Sequence, residues 1–222
     1  MKQLRDNSLS LVFGGLLVVV LAAQALVGLA GYNEAARTAG LAGIDLWRYV
    51  TSSSFAVDVA ENWQSEYLQF TLYILLTVWL VQRGSSESKP PEEAGFGDDE
   101  KERIGAFAGP DSPAAAKAGG WWTGLYSFSL SLAMAVIFLV SWVAQAVTGR
   151  VAHNEERLRD LLDPLPLGQY LVSPDFWGRT FQNWQSELLA VGSMAIFAVF
   201  LRQRGSPESK PVGAPHAETP SN

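Results

Sequence analysis

Four apolar runs constrain this chain more than any other feature: Leu9 to Ala30, Trp63 to Val81, Leu125 to Val147 and Trp184 to Leu201, none with Lys, Arg or Pro in its interior. Each is close to the ~20 residues that a helix needs to cross a ~30 Å hydrocarbon core. The apolar residues are clumped instead of recurring at amphipathic spacing, which is the pattern of a membrane protein. The segments between the runs are polar and acidic, and they carry the net charge of -6. That balance argues against a nucleic-acid partner, which would ask for a basic stripe. The chain has no cysteine, so disulfides, thiolate metal sites and thiol catalysis are excluded.

The runs are related to one another. Sliding the sequence by 121 residues aligns Ser8–Pro90 with Ser129–Pro211 without a gap, and 32 of the 83 aligned positions are identical. The longest matches are Asn62-Trp63-Gln64-Ser65-Glu66 with Asn183-Trp184-Gln185-Ser186-Glu187, and Gln82-Arg83-Gly84-Ser85 with Gln203-Arg204-Gly205-Ser206. Asn33-Glu34 also recurs as Asn154-Glu155, and Gln24 as Gln145. Lys2 and Arg5 before the first run resemble the start of a secretory leader. The internal copy at Ser129 to Gly149 is not cleavable, so the first run is expected to be retained as a helix.

Each copy holds two crossings, an even number, so both copies enter the membrane the same way round. The expected fold is therefore all-α: an integral membrane four-helix bundle of two parallel, non-inverted helical-hairpin repeats. The first hairpin spans 1–90 with helices at about 9–30 and 62–82; the second spans 121–211 with helices at about 125–148 and 183–202. Residues 91–120, rich in Pro, Gly, Ala and acids, read as a disordered acidic linker, and 212–222 as a flexible tail. Ten Lys and Arg lie on the side of the termini and linker and six on the other, which places both termini in the cytoplasm of a cell membrane. Trp121 and Trp122 suit an interfacial belt, as do Trp63 and Trp184. Ser173-Pro174-Asp175 and the matching Ser52-Ser53-Ser54 are helix-start signals, so the second and fourth helices begin about ten residues ahead of the membrane.

Polar side chains inside the runs mark the candidate site. Glu66 and Gln24 lie at overlapping depths in the outer leaflet, and the duplication repeats this with Glu187 and Gln145. Asn62, Glu66, Gln69 and Tyr73 share one helix face; the second copy keeps Asn183 and Glu187 and then turns apolar at Ala190 and Met194. Gln64 and Gln185 add amide donors and acceptors. Intramembrane carboxylates normally have a partner. Two roles compete: amide and carboxylate bonds that hold helices together, or a Glu66–Glu187 pair that binds a cation or shares a proton. His153 aligns with Tyr32 and His216 lies in the tail, so no His pair is available for haem or zinc, and no nucleophile–base pair or phosphate loop is present.

The doubled Asn-Trp-Gln-Ser-Glu motif, each followed by an apolar helix and Gln-Arg-Gly-Ser-x-Glu-Ser-Lys-Pro, resembles a family of bacterial membrane proteins classed only as a domain of unknown function. The resemblance implies no activity. The residues point first to a non-enzymatic interaction or assembly module in the lipid bilayer, partnered by a second copy or another membrane protein and needing no cofactor. The alternative is a small cation- or proton-handling transporter or channel using Glu66 and Glu187.

Overall fold

A computed structural model describes residues 2–220, with side chains from Leu4 onward; Lys2, whose charge entered the orientation, has its side chain outside the described residues. Among the described residues the chain is all-helical, without strands. Four long helices dominate: α1 (Ser8–Thr38), α2 (Ser53–Leu76), α3 (Ser129–Arg159) and α4 (Pro174–Phe200). α3 and α4 begin 121 residues after α1 and α2, the spacing of the sequence match.

α1 and α3 are long and apolar enough to cross a membrane; α2 and α4 do not reach that mark. The difference lies in where the helices stop and start. The second apolar run extends to Val81, but α2 ends at Leu76, short of the expected 82, and its N-terminal part carries Asp58, Glu61, Asn62, Gln64 and Glu66. α4 likewise opens with Asp175, Arg179, Asn183 and Glu187. α1 and α3 run past their expected ends at 30 and 148 to Thr38 and Arg159.

The chain divides into two compact units, the first of residues 1–60 and 143–176, the second of 61–142 and 177–222. In the first unit, the C-terminus of α1 closes with two reverse hydrogen bonds, Leu41 N–H to Ala36 O at 2.8 Å and Gly40 N–H to Arg37 O at 3.0 Å. This is a Schellman ending, which needs a left-handed residue just past the helix; Gly40 supplies it at φ 73°. α3 ends the same way, with Leu162 N–H to Arg157 O at 2.8 Å and Leu161 N–H to Leu158 O at 3.2 Å, but Leu161 holds the left-handed position at φ 59°.

The loops that follow are clamped by asparagines. The Asn33 amide donates to Ile44 O at 3.0 Å and accepts from Ile44 N–H at 2.7 Å. Asn154 makes the same pair of bonds with Leu165, at 2.9 and 2.7 Å. Beyond each clamp a short helical turn, Leu46–Val50 or Leu167–Tyr170, delivers a buried tyrosine. Tyr49 sits against Gly28 and Tyr170 against Gly149, so closely that a β-carbon at either glycine would overlap the hydroxyl group. Ring contacts extend the core: Tyr32–Tyr49–Phe55 at 5.8 and 5.6 Å, and His153–Tyr170–Phe176 at 5.7 Å each. The Ser52 hydroxyl then accepts from Phe55 N–H at 3.2 Å and Ser173 from Phe176 N–H at 3.3 Å, which starts α2 and α4 at the expected serines.

In the second unit, the Thr77 hydroxyl turns back onto Tyr73 O at 2.7 Å as α2 ends, and the Arg202 guanidinium covers the last carbonyl groups of α4 at Ala198 and Val199. Residues 91–120, read from composition as a disordered tether, hold two 3-10 turns and the helix Ala114–Ala118. Phe96 fixes this segment by edge-on contacts with Trp79 and Phe128, at 5.0 and 5.5 Å.

Candidate functional site

The first Asn-Trp-Gln-Ser-Glu motif starts one residue beyond the start of α2's share of the second unit. Its central residues turn inward: Gln64 and Ser65 are fully buried, while Asn62, Trp63 and Glu66 are exposed. Gln64 Oε1 accepts from the indole N–H of Trp184 at 2.8 Å, which joins the two motifs directly. Each motif serine hydroxyl folds back onto its own helix, Ser65 to Asn62 O at 2.9 Å and Ser186 to Asn183 O at 2.8 Å. Asn183 donates to Arg179 O at 2.9 Å.

The two copies do not do the same work. Trp184 is half-buried and sits among Trp142, Trp177 and Phe181, with ring centroids 5.1–6.1 Å apart. At the positions 121 earlier the residues are Leu21, Ala56 and Ala60, and Trp63 is exposed there. The Trp184–Gln64 arrangement is not mirrored in burial, since Gln185, the counterpart of Gln64, is exposed.

Glu187 is half-buried, close enough to Glu66 for the two charges to interact, with the Ser65 and Ser186 hydroxyl groups beside it. Nearer the N-terminal ends of the two helices, Arg179 pairs with Glu61 at 3.1 Å. Toward the other end of α2, the Tyr73 hydroxyl donates to the Glu87 carboxylate. No group of three or more His, Cys, Asp or Glu side chains fit for a metal ion occurs among the described residues.

Of the remaining expected residues, Gln24 and Gln145 belong to the first unit, where Gln24 is half-buried and Gln145 fully buried. Trp121 and Trp122 stack on each other at 3.8 Å on the helix Gly120–Ser127 and stay exposed.

A family described as a domain of unknown function (DUF6766) matches residues 1–221. The chain belongs to that family. No curated protein and no solved structure matches it.

Sequence reasoning missed several polar contacts in this DUF6766 chain. In the first unit, the Tyr32 hydroxyl donates to Glu155 at 2.5 Å, Arg159 pairs with Glu155 at 2.6 Å, and the same guanidinium lies 5.4 Å from the Tyr32 ring centroid. His153 Nδ1 stands 3.8 Å from Asp175, whose other oxygen accepts from Tyr170 at 3.0 Å. Burial, and after it the Asp58 charge, pushes the Tyr49 hydroxyl above the usual tyrosine range, which leaves it a neutral group at physiological pH. The available signal was the repeat itself. Gly28, Asn33, Tyr49 and Ser52 each recur 121 residues later, but short isolated identities have no chemistry attached to them until the loops are closed.

Proposed function

We propose that the chain is a multi-pass protein of the cell membrane, crossing four times as two parallel hairpin repeats with both termini cytoplasmic, and that it acts as a non-enzymatic interaction or assembly module. The observation that carries the membrane reading is the surface of α1. Leu9, Leu11, Val12, Phe13, Leu16, Leu17, Val18, Val19 and Val20 point in every direction around the helix and are 50–72% exposed. A fully buried Val, Leu or Phe side chain is worth roughly 1.5–3 kcal/mol, so leaving these in water forfeits more than about 10 kcal/mol. Lipid removes that cost, and helices that are apolar on all sides are membrane spans or deep cores.

Part of the polar face of α2 fits the same reading because it is paired with α4. The bonds Gln64 Oε1–Trp184 and Glu61–Arg179 pair groups that hydrocarbon would penalise, although the buried Gln64 Nε2 has no partner among the described residues. This use of the motif favours assembly over chemistry. The test uses the absence of native cysteine. Alkaline carbonate washing leaves the chain in the membrane fraction, and a membrane-impermeant maleimide added to spheroplasts labels Ala42→Cys but not Ser112→Cys until the membrane is opened. Release by carbonate, or equal labelling at both sites, overturns the reading.

A second reading is favoured by the nearness of Glu66 to the half-buried Glu187. Two nearby carboxylates repel each other, and a proton or a cation between them relieves that repulsion. Proteoliposomes holding the wild-type chain would then dissipate an imposed proton or sodium gradient, and the Glu66→Gln/Glu187→Gln variant would not. Equal leak rates refute it.

A further inference from the structure

The Gln-Arg-Gly-Ser-x-Glu-Ser-Lys-Pro motif folds into one turn twice. Gln82 N–H donates to Ser88 Oγ and Gln203 N–H to Ser209 Oγ, at 2.8 and 2.9 Å. Ser85 and Ser206 Oγ accept from Glu87 and Glu208 N–H, and Gly84 and Gly205 hold left-handed φ of 85° and 83°. Lys89 donates to Gly95 O at 3.0 Å; Lys210, buried, donates to Pro215, His216 and Glu218 O at 2.9–3.1 Å. The serines, glycines and lysines of the turn thus have work inside the fold, and the arginines do not. Arg83 and Arg204 are exposed and have no hydrogen bond or ion pair to another described residue.

The two turns differ in cover. At the first, Gly84 N–H donates to Thr219 Oγ1 at 2.7 Å, and a β-carbon on Gly84 would overlap the His216 carbonyl oxygen, so the C-terminal segment lies across it. At the second, nothing lies within 4 Å of the same position on Gly205. An open cleft of about 580 Å³ stands there instead, lined among others by Gln203, Arg204, Ser206, Lys210 and Val212.

We propose that this cleft seats the phosphate headgroup of an anionic phospholipid, with Arg204 as its bidentate ligand. A guanidinium with all its donors free matches phosphate oxygens in geometry and charge. Ser206 and Gln203 line the same cleft, and Val212 gives the glycerol and acyl root an apolar edge. The turn follows directly on the apolar helix α4, which on the membrane reading above brings it to the cytoplasmic headgroup layer, where anionic lipid is concentrated. The inference rests on that reading.

The test is native mass spectrometry of the full chain released from detergent micelles and titrated with dioleoyl-phosphatidylglycerol or dioleoyl-phosphatidylcholine. The wild type is expected to retain one phosphatidylglycerol in a saturable step, at least tenfold more tightly than phosphatidylcholine. Arg204→Gln loses that step, while Arg83→Gln, with the same charge change in the covered turn, keeps it. Equal retention of the two lipids, or equal loss in both variants, overturns the proposal. Displacement by millimolar inorganic phosphate also overturns it, in favour of a soluble anion. Carbonate release of the chain would defeat the membrane reading itself; a chain that stays embedded but binds no lipid defeats this inference alone.

Discussion

The Asn33 side chain holds both backbone groups of Ile44, donating to its carbonyl oxygen at 3.0 Å and accepting from its N–H at 2.7 Å. An amide side chain used in this way replaces a missing strand partner, and it fixes the loop between α1 and α2 at one length. Asn33→Ala removes two bonds and strands two half-buried backbone groups, so it is expected to cost about 1–3 kcal/mol. Denaturant unfolding in micelles followed by circular dichroism measures the loss, and hydrogen exchange at Ile44 N–H should accelerate more than at the Leu165 N–H held by Asn154. Asn33→Asp keeps the acceptor and should recover part of the protection.

The glycine–tyrosine contacts give a paired test. Gly28→Ala drives a methyl group into the Tyr49 hydroxyl and should destabilise by about 1–3 kcal/mol. In the double variant Gly28→Ala/Tyr49→Phe the hydroxyl is gone, so the combined loss should be smaller than the sum of the single losses. An additive double-mutant cycle would mean that the two residues do not press on each other.

Leu161 occupies a left-handed position that its counterpart Gly40 fills without strain, and its side chain is 94% exposed. Leu161→Gly removes the steric cost of the left-handed conformation, roughly 1–2 kcal/mol, against an entropic loss of about 0.5–1 kcal/mol for glycine. The expected net result is a stabilisation of up to about 1 kcal/mol, visible as a higher denaturation midpoint. The converse variant, Gly40→Leu, should lower it.

Burial, reinforced by Arg202, holds the Lys210 ammonium below the ordinary lysine range. A base with a lowered folded pKa binds fewer protons folded than unfolded. Docking of the C-terminal segment therefore carries its full charge-burial penalty below the lowered pKa, and tightens as pH rises from there toward the unfolded value of about 10.4. A spin label on Ala217→Cys should become less mobile across that interval. Lys210→Met, which cannot titrate, should show a flat profile and a more mobile label throughout, because three carbonyl groups lose their donor.

The sequence disclosed the helical class, the 121-residue spacing of the long helices and the serine starts of α2 and α4, because each rests on a local pattern or on self-alignment. It read the ends of helices less well. Apolar content did not distinguish Thr77 to Val81, which leaves the helix, from Leu68 to Leu76, which stays in it, because the two stretches are alike in polarity and the sequence carries no glycine, proline or capping residue between them. The site was half legible. Gln64 and Glu66 are two residues apart and both polar, yet one is fully buried against Trp184 and the other exposed, and only helix rotation decides between them. His153 lacked a partner on paper because Asp175 stands 22 residues further along the chain, beyond a loop whose path the Asn154 clamp sets.

The Trp184–Gln64 bond makes the two halves complementary instead of interchangeable. A tandem built from two first copies would pair Gln64 with Trp63-type neighbours lacking the Trp177 and Phe181 shelf, and one built from two second copies would crowd two such shelves together. Joining two related sequence copies in one polypeptide removes the demand that both partners of a contact be drawn from a single sequence, so each copy is free to specialise as lock or key. Two identical copies do not have that freedom.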